Sequence, residues 1–373
     1  MVDINKLQHQ RSLIFSNKIL NYFNTLVLLR FKVECGNVRK LIRAISLAKN
    51  IGQEPEVLMK SDCPDKQLTG HVLNAYNAEL QRLQLIDLDD MVRLPVRILE
   101  SNPSARRQYQ KRYSHVLVDE YQDSNVLQNR LIRCLLGDEK NICVVGDDDQ
   151  SIYGFRGAQR KLILGFERVY PGAKVVKLTA NYRCSSEIIG VANEVIADAP
   201  DRYAKQLVAA NGSSVPVRFV EVRDAWNERR FIASDIRATR QRERRAFSDF
   251  AVLVRVSREG TEIEGELKKN GIPCGGNEGG INVMTLHASK GLEFPVVYLP
   301  GVEEDTIPHW NAKKDGTKAI EEERRLLYVG VTRAEQRLTL SSSMRRGEHA
   351  RERSRFAVSL IAKRLVEHHE LVN

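Results

Sequence analysis

Two carboxylates in a row, Asp119 and Glu120, close the apolar run Val116-Leu117-Val118, and a second apolar run, Ile142 to Val145, ends in Gly146, Asp147, Asp148, Asp149 and Gln150. Brief β-branched-rich runs of this kind read as buried parallel strands. In open parallel sheets ligands sit beyond the carboxyl ends of the strands. Two neighbouring strands would therefore bring acidic and amide groups, which bind by charge and hydrogen bonding, to one edge. An isolated Asp-Glu pair after a strand is most often a solvated loop or a helix cap. The ordered combination is far more specific: HVLVDEYQDSN over 115–125, then NICVVGDDDQSIYGFRGA over 141–158, holds polar clusters that no core-packing rule would produce.

These two segments resemble motifs II and III of the UvrD/Rep family of superfamily 1 DNA helicases. The resemblance implies ATP and Mg²⁺ as cofactors. It implies that Asp119 holds the Mg²⁺, a hard cation that prefers carboxylate oxygen. Glu120 would orient or deprotonate the attacking water, a task that needs a carboxylate within one hydrogen bond of the nucleophile. Gln150, at once donor and acceptor, would sense the γ-phosphate and relay its presence to the DNA side. Phe155 stands where the family commonly has Trp and would offer a face for base stacking, worth about 1–3 kcal/mol per base, with Arg156 beside it. Apart from the resemblance, Tyr153, Phe155 and Arg156 read as an aromatic cluster capped by a cation.

Three later segments extend the likeness. NYRCSSEII, from Asn181, resembles motif IV, which implies that Tyr182 stacks on adenine and that Arg183 reaches the γ-phosphate with a planar guanidinium suited to phosphate oxygens. Taken by itself, the same stretch is an ordinary helix start. INVMTLHASKGLEFPVVYLPGV, from Ile281, resembles motif V, with a strand from Asn282 to Thr285 and another starting near Val296. Here Thr285, His287 and Lys290 would contact the DNA backbone, positioning it without reading sequence. Gly291 would permit close approach, and Glu293 would accept a ribose hydroxyl. EEERRLLYVGVTRAEQRL, from Glu321, resembles motif VI on a helix whose apolar side is Leu326, Leu327, Val329 and Val331. Arg333 would project toward the domain cleft as an arginine finger, a role whose loss costs orders of magnitude in rate.

Composition sets the bounds. A chain of 373 residues has room for two ordinary domains, and a formal charge of +10 favours a polyanionic partner such as nucleic acid. The six cysteines are scattered without a C-x-x-C pair, as in reduced structural thiols rather than a disulfide or zinc framework. No apolar run is long enough to span a bilayer, and MVDINKLQHQRS lacks a signal-peptide hydrophobic region. The expectation is a cytoplasmic protein.

The elements that must position these residues are legible in outline. LIFSNK, from Leu13, faintly resembles the DNA-contacting motif Ia but reads as core and rim. VRKLIRAISLAKNIG is helical, and AISLAKN followed by Pro55 resembles the helical subdomain inserted in the family's first motor domain. LTGHVLNAYNAELQRLQLIDLDDMVRLPVRIL has apolar residues at helical spacing and is similar to the family's approach to motif II. After the turn Pro171-Gly172, KVVKL reads as a strand, and VRFVEV, a helix from Ala225 and FAVLVRV form a strand, helix, strand unit. ATRQRERRAF reads as a solvated turn between that helix and its strand. GGNEGG, a flexible connector, stands where the family carries a large helical insertion, and RLTLSSS reads as a last strand before a basic tail and terminal helix.

Nowhere does the chain contain G-x-x-x-x-G-K-[ST], the loop whose backbone N–H groups cradle phosphates. In the family this loop lies N-terminal to every segment matched here. The expectation is an α/β protein of two RecA-like parallel-sheet domains. Residues 1–170 would form the first, lacking its opening strand and P-loop and carrying a small helical subdomain; residues 171–373 would form the second. The resemblance implies an ATP-dependent DNA helicase moving 3′ to 5′ on single-stranded DNA, or on duplex with a single-stranded tail. The competing reading is a nucleic-acid-binding protein without motor activity.

Overall fold

A computed structural model describes residues 35–276 and 279–371. LIFSNK and the centre of GGNEGG lie outside the described residues. Backbone contacts divide the chain into two compact units: 1–147 with 153–163, and 148–152 with 164–373. The strand-to-loop segment that carries Gln150 thus belongs to the second unit.

In the first unit, helices cover Cys35–Asn50, Pro55–Met59, Pro64–Arg82, Asp90–Ser101 and Pro103–Arg112. Pro55, Pro64 and Pro103 open three of them, at a position where a missing N–H is harmless. Val38, Leu41, Ile45, Leu58, Val72 and Leu73 share one core. Beside it Lys49, only 1% exposed, binds Asp87 at 2.6 Å and Asp90 at 3.1 Å, with its ammonium 5.0 Å from the Tyr76 ring. AKN and IDLDD, two phrases far apart in sequence, are therefore one charge network. It extends further: Asn50 Nδ2 donates to Asp89 Oδ1 at 2.9 Å, and Asn125 Nδ2 donates to Asn50 Oδ1 at 2.9 Å.

The strands Val116–Val118 and Ile142–Val144 pair in parallel, Leu117 opposite Cys143. They were expected to be buried on both faces, and one face is open: Leu117 is 78% exposed and Cys143 is exposed too. Among the described residues this sheet has two strands only, too few to be covered like a full parallel sheet. Leu117 instead borders an apolar groove of about 520 Å³ with Ile98, Leu99, Tyr109 and Tyr113.

The second unit has the expected α/β layering. Six parallel strands lie in the order Glu367–Leu371, Arg218–Val222, Ala334–Ser343, Phe294–Leu299, Phe250–Val254, Asn282–Thr285. Phe250, Val252, Val254, Val296 and Tyr298 pack against Ile232 and Ile236 of the helix Ala225–Glu243 and Ile263 and Leu267 of the helix Ser257–Lys269. On the opposite face the helix Thr317–Val331 approaches so closely that a Cβ on Gly330 would stand 2.4 Å from Leu286 and 3.1 Å from Leu299. No helix among the described residues is long and apolar enough to cross a membrane.

Three sequence expectations fail here. KVVKL is not a strand: Val176 is 66% and Leu178 79% exposed, and pairing begins only at Ala180–Asn181, with Val208–Ala209. Apolar β-branched residues make a strand only where a partner edge exists. ATRQRERRAF is not a turn: the helix runs through it to Glu243 and stops at Arg244, in the left-handed region at φ 53°. Arg240 and Arg242 suit the negative end of that helix. RLTLSSS is not the last strand either. Glu367–Leu371 adds to the sheet's edge after a five-residue helix, Val358–Ala362, and its polar EHHEL sequence reflects solvent on an edge strand.

Past the carboxyl ends of two of these strands Arg346 faces three carboxylates: Glu228 at 2.6 Å, Glu259 at 3.6 Å, and Glu303 in a shorter bond. One cation faces three carboxylates, two of them fully buried, and burial together with Glu228 pushes the Glu303 carboxyl up to about 7. The folded state then holds a proton that the unfolded chain releases near its ordinary value of 4.5, so stability falls as pH rises between those values. The thermal midpoint is expected to drop between about pH 5 and pH 8, and Glu303→Gln to remove most of that slope. Equal slopes in the two proteins would contradict this account.

Candidate functional site

At the end of the strand Val116–Val118 the chain turns sharply. Asp119 Oδ1 accepts the Glu120 N–H at 2.9 Å, and Glu120 itself lies in the left-handed region at φ 50°, ψ 38°. A short 3₁₀ turn, Tyr121–Asp123, follows, and Asn125 then caps the helix Val126–Leu135 in a reciprocal box with Gln128. Asp119 and Glu120 are both exposed. Mg²⁺ is usually bound by one or two carboxylates completed by water and substrate phosphate. Two exposed carboxylates at the carboxyl end of a parallel strand fit that requirement.

Asp148 and Asp149 are 2% and 0% exposed. Lys205 binds Asp148 at 2.5 Å, while Arg202 grips Asp149 with two bonds of 2.9 and 2.6 Å. Burial raises the Asp149 carboxyl, but Arg202 and Lys205 outweigh it and hold it below its ordinary value. The acidic edge expected from the sequence is thus smaller than the string GDDDQ suggests, because these two side chains turn inward as buried ion pairs. Phe155 is 62% exposed; its ring lies 6.1 Å from that of Tyr153, and the Arg156 guanidinium covers both at 5.5 and 5.1 Å. An open aromatic face and a cation cap coexist.

In the second unit Gln150, Lys290 and Arg333 come together. Lys290 Nζ donates to the Gln150 carbonyl at 2.9 Å, and Arg333 Nη2 donates to Gln150 Oε1 at 3.5 Å. Arg325 Nε donates to the carbonyl of Ser151 at 2.8 Å. Arg333 was expected on the motif VI helix, projecting toward the domain cleft. That helix ends at Val331, so Arg333 sits in the turn before the strand Ala334–Ser343 and is 2% exposed. Nε donates to the Val329 carbonyl at 3.0 Å and Nη1 to that of Leu292 at 2.9 Å, two acceptors that draw the guanidinium inward. Thr285 and His287 are half-buried, and Thr285 Oγ1 accepts the Ala288 N–H at 3.3 Å. Gly291 takes φ 85°, the conformation that excuses its missing side chain, with open space on its Cβ side.

Tyr182, Arg183 and Glu293, chosen from two different motifs, line one polar pocket of about 460 Å³ with Asn211, Ser213 and Glu335. The volume is ordinary for a small-ligand site. Arg183 Nε donates to the Glu293 carboxylate, and Tyr182 is 77% exposed. Asn211 Nδ2 donates to the carbonyls of Tyr182 and Arg183 at 2.7 and 3.1 Å, while Asn181 Oδ1 accepts from the N–H groups of Arg183 and Cys184 at 3.0 and 2.8 Å. Two asparagines thus fix the backbone that presents the aromatic ring and the cation. Burial raises the Glu187 carboxyl, but bonds from Ser213 and the Ser214 N–H prevail and bring it down to about 2. Burial and the neighbouring Glu293 push Glu335 upward. Sequence reasoning passed over Asn211, Ser213 and Glu335. The pocket also departs from the carboxyl-edge rule, since Glu293 and Glu335 stand at the amino-terminal ends of their strands.

Known proteins match along nearly this whole length. The family model for the UvrD/REP helicase N-terminal domain matches residues 2–171, and that for the UvrD-like helicase C-terminal domain matches 176–279 and 275–345. The ATP-dependent DNA helicase PcrA of Leuconostoc citreum is 38% identical over 236 residues, covering 63% of this chain and 32% of that protein. The proteins of the same name from Staphylococcus epidermidis and Staphylococcus aureus are 36% and 35% identical over the same length. The chain spans about a third of the length of these relatives. The N-terminal and C-terminal domain models succeed each other here in order, on segments that hold the paired carboxylates and the polar pocket, and the chain belongs to the UvrD/Rep family of helicases.

Proposed function

We propose that this chain couples ATP hydrolysis to movement on single-stranded DNA, 3′ to 5′, as a DNA helicase or translocase. The observation that carries the reading is the convergence of Tyr182, Arg183 and Glu293 on one pocket. Tyr182 offers an exposed ring for adenine, Glu293 an acceptor for a ribose hydroxyl, and Arg183 a planar cation for phosphate oxygen. Glu120 takes the proton of the attacking water, and Asp119 is the ligand for Mg²⁺, which when bound offsets phosphate charge. Gln150 is the sensor, because its carboxamide touches Arg333 and its carbonyl touches Lys290. Phe155, Arg156, Thr285, His287 and Lys290 are the candidate DNA contacts. A protein that binds nucleic acid without turnover is the second reading.

The test is ATP hydrolysis by the purified chain with and without single-stranded DNA, beside Glu120→Gln. Loss of a general base lowers the rate by about 10²–10⁴-fold, and that loss is expected here with DNA binding retained. Hydrolysis indifferent to DNA and to the substitution would be a contaminant's, and DNA binding with no hydrolysis at all would favour the second reading.

A further inference from the structure

Gln122 is fully buried, two residues after the candidate base, in a part of DEYQD to which the proposed chemistry assigns no task. Both ends of its carboxamide are used. Nε2 donates to Glu120 Oε2 at 2.5 Å, and Oε1 accepts the N–H of Asp147 at 3.0 Å. One side chain thereby joins the carboxylate that leaves the first strand to the backbone that leaves the second. The strands are already tied at that level, with Val145 N–H donating to the Val118 carbonyl at 2.8 Å and Tyr121 N–H to the Val145 carbonyl at 2.9 Å. Pairing the backbone therefore does not explain why the donor end of Gln122 reaches an exposed carboxylate.

Two further features converge on the same seat. Glu120 is held in the left-handed region, which a residue with a side chain avoids unless its surroundings impose it. A Cβ on Gly146 would stand 2.3 Å from Gln122 Oε1 and 3.2 Å from the Tyr121 nitrogen, so the carboxamide has room only because residue 146 carries no side chain. A buried amide, an unusual backbone at the carboxylate and a glycine that yields space together fix one exposed side chain. Such fixing has a catalytic purpose, because a base displaced by about 1 Å can lose about 100-fold in rate.

We propose that Gln122 is the positioning residue for Glu120: its amide anchors one carboxylate oxygen and thereby aims the group at the water it deprotonates. The geometric part concerns the folded chain alone; the catalytic part rests on the role proposed for Glu120.

The experiment uses the full chain and exchanges the two ends of the bond. Gln122→Glu keeps the acceptor for the Asp147 N–H but sets a second carboxylate against Glu120, and is expected to lower the thermal midpoint at pH 8 by about 5 °C. Glu120→Gln with Gln122→Glu restores an amide-to-carboxylate bond in the opposite sense, and should return the midpoint to within about 2 °C of the parent. Gln122→Met removes both bonds; it should shift the ¹³C carboxyl resonance of Glu120, assigned by its loss in Glu120→Gln, and speed hydrogen exchange at the Asp147 amide. Where turnover is measurable, Gln122→Met lowers kcat by about 100-fold with KM for ATP little changed.

No recovery in the double variant, or a Glu120 resonance and Asp147 exchange that Gln122→Met leaves untouched, overturns the proposal. These readouts need no hydrolysis, so a chain that does not turn over still decides it. Recovery in the double variant while Glu120→Gln keeps full turnover would sink the base assignment and leave the geometric positioning standing.

Discussion

Arg333→Lys is expected to lower DNA-stimulated ATP hydrolysis by about 10³-fold or more, the scale of an arginine finger. Lysine keeps the charge but not the planar set of donors, and here the donors are what the structure employs. Nε and Nη1 are held by the Val329 and Leu292 carbonyls, while Nη2 faces Thr332 Oγ1 at 3.2 Å and Gln150 Oε1 at 3.5 Å. The bond to Gln150 is the longest of the four, hence the one most easily exchanged for a phosphate oxygen. An ammonium at that position can satisfy one or two of these acceptors and leaves the others buried and unpaired. Activity and folding must therefore be separated. The urea midpoint of Arg333→Lys gives the structural share, and turnover of the folded fraction gives the catalytic share. A loss of less than tenfold in folded protein would shift the role to Arg183, which is a third exposed and paired with Glu293.

The parts of the site that were legible in sequence are those where one residue type answers one local demand. The apolar runs ending in DE and GDDDQ gave the two paired strands. What stayed hidden depends on partners remote in sequence. Nothing in GDDDQ says that Asp148 and Asp149 will be claimed by Lys205 and Arg202, more than fifty residues later. KVVKL has strand composition but no edge to pair with, and EHHEL lacks it yet finds the edge of Arg218–Val222. Leu117 looked like core and is exposed, because burial of a strand is a property of the sheet around it. Gln122 was invisible for a simpler reason: a polar residue in a run of polar residues carries no periodic signal, and its burial and its bonds to Glu120 and Asp147 exist only in the fold.

Arg202→Ala is expected to be the most destabilising single change in the second unit, by about 3–5 kcal/mol, the usual cost of leaving a buried charge without its partner. Asp149 is 0% exposed and takes two bonds from Arg202, with Lys205 a further 3.1 Å from it. Lys205 already serves Asp148 at 2.5 Å, so it cannot replace the guanidinium at both oxygens of Asp149. The pH dependence identifies the cause. Asp149 titrates below its ordinary value in the fold, so its contribution is complete above the unfolded value near 3.8 and disappears as pH falls through the depressed one. Without Arg202 burial prevails, the folded carboxyl moves upward, and the loss on acidification gives way to relief: Arg202→Ala should be least impaired in mild acid and most impaired at neutral pH. Gln150 lies next to Asp149 in the segment these ion pairs hold, so the same variant should also weaken ATP turnover at temperatures where the protein remains folded. Chemical denaturation of parent and variant at about pH 4.5 and pH 7.5 measures the difference directly. A gap that is small, or equal at both pH values, would mean that solvent or Lys205 neutralises Asp149 and that the segment is held by Arg325 and Lys290 instead.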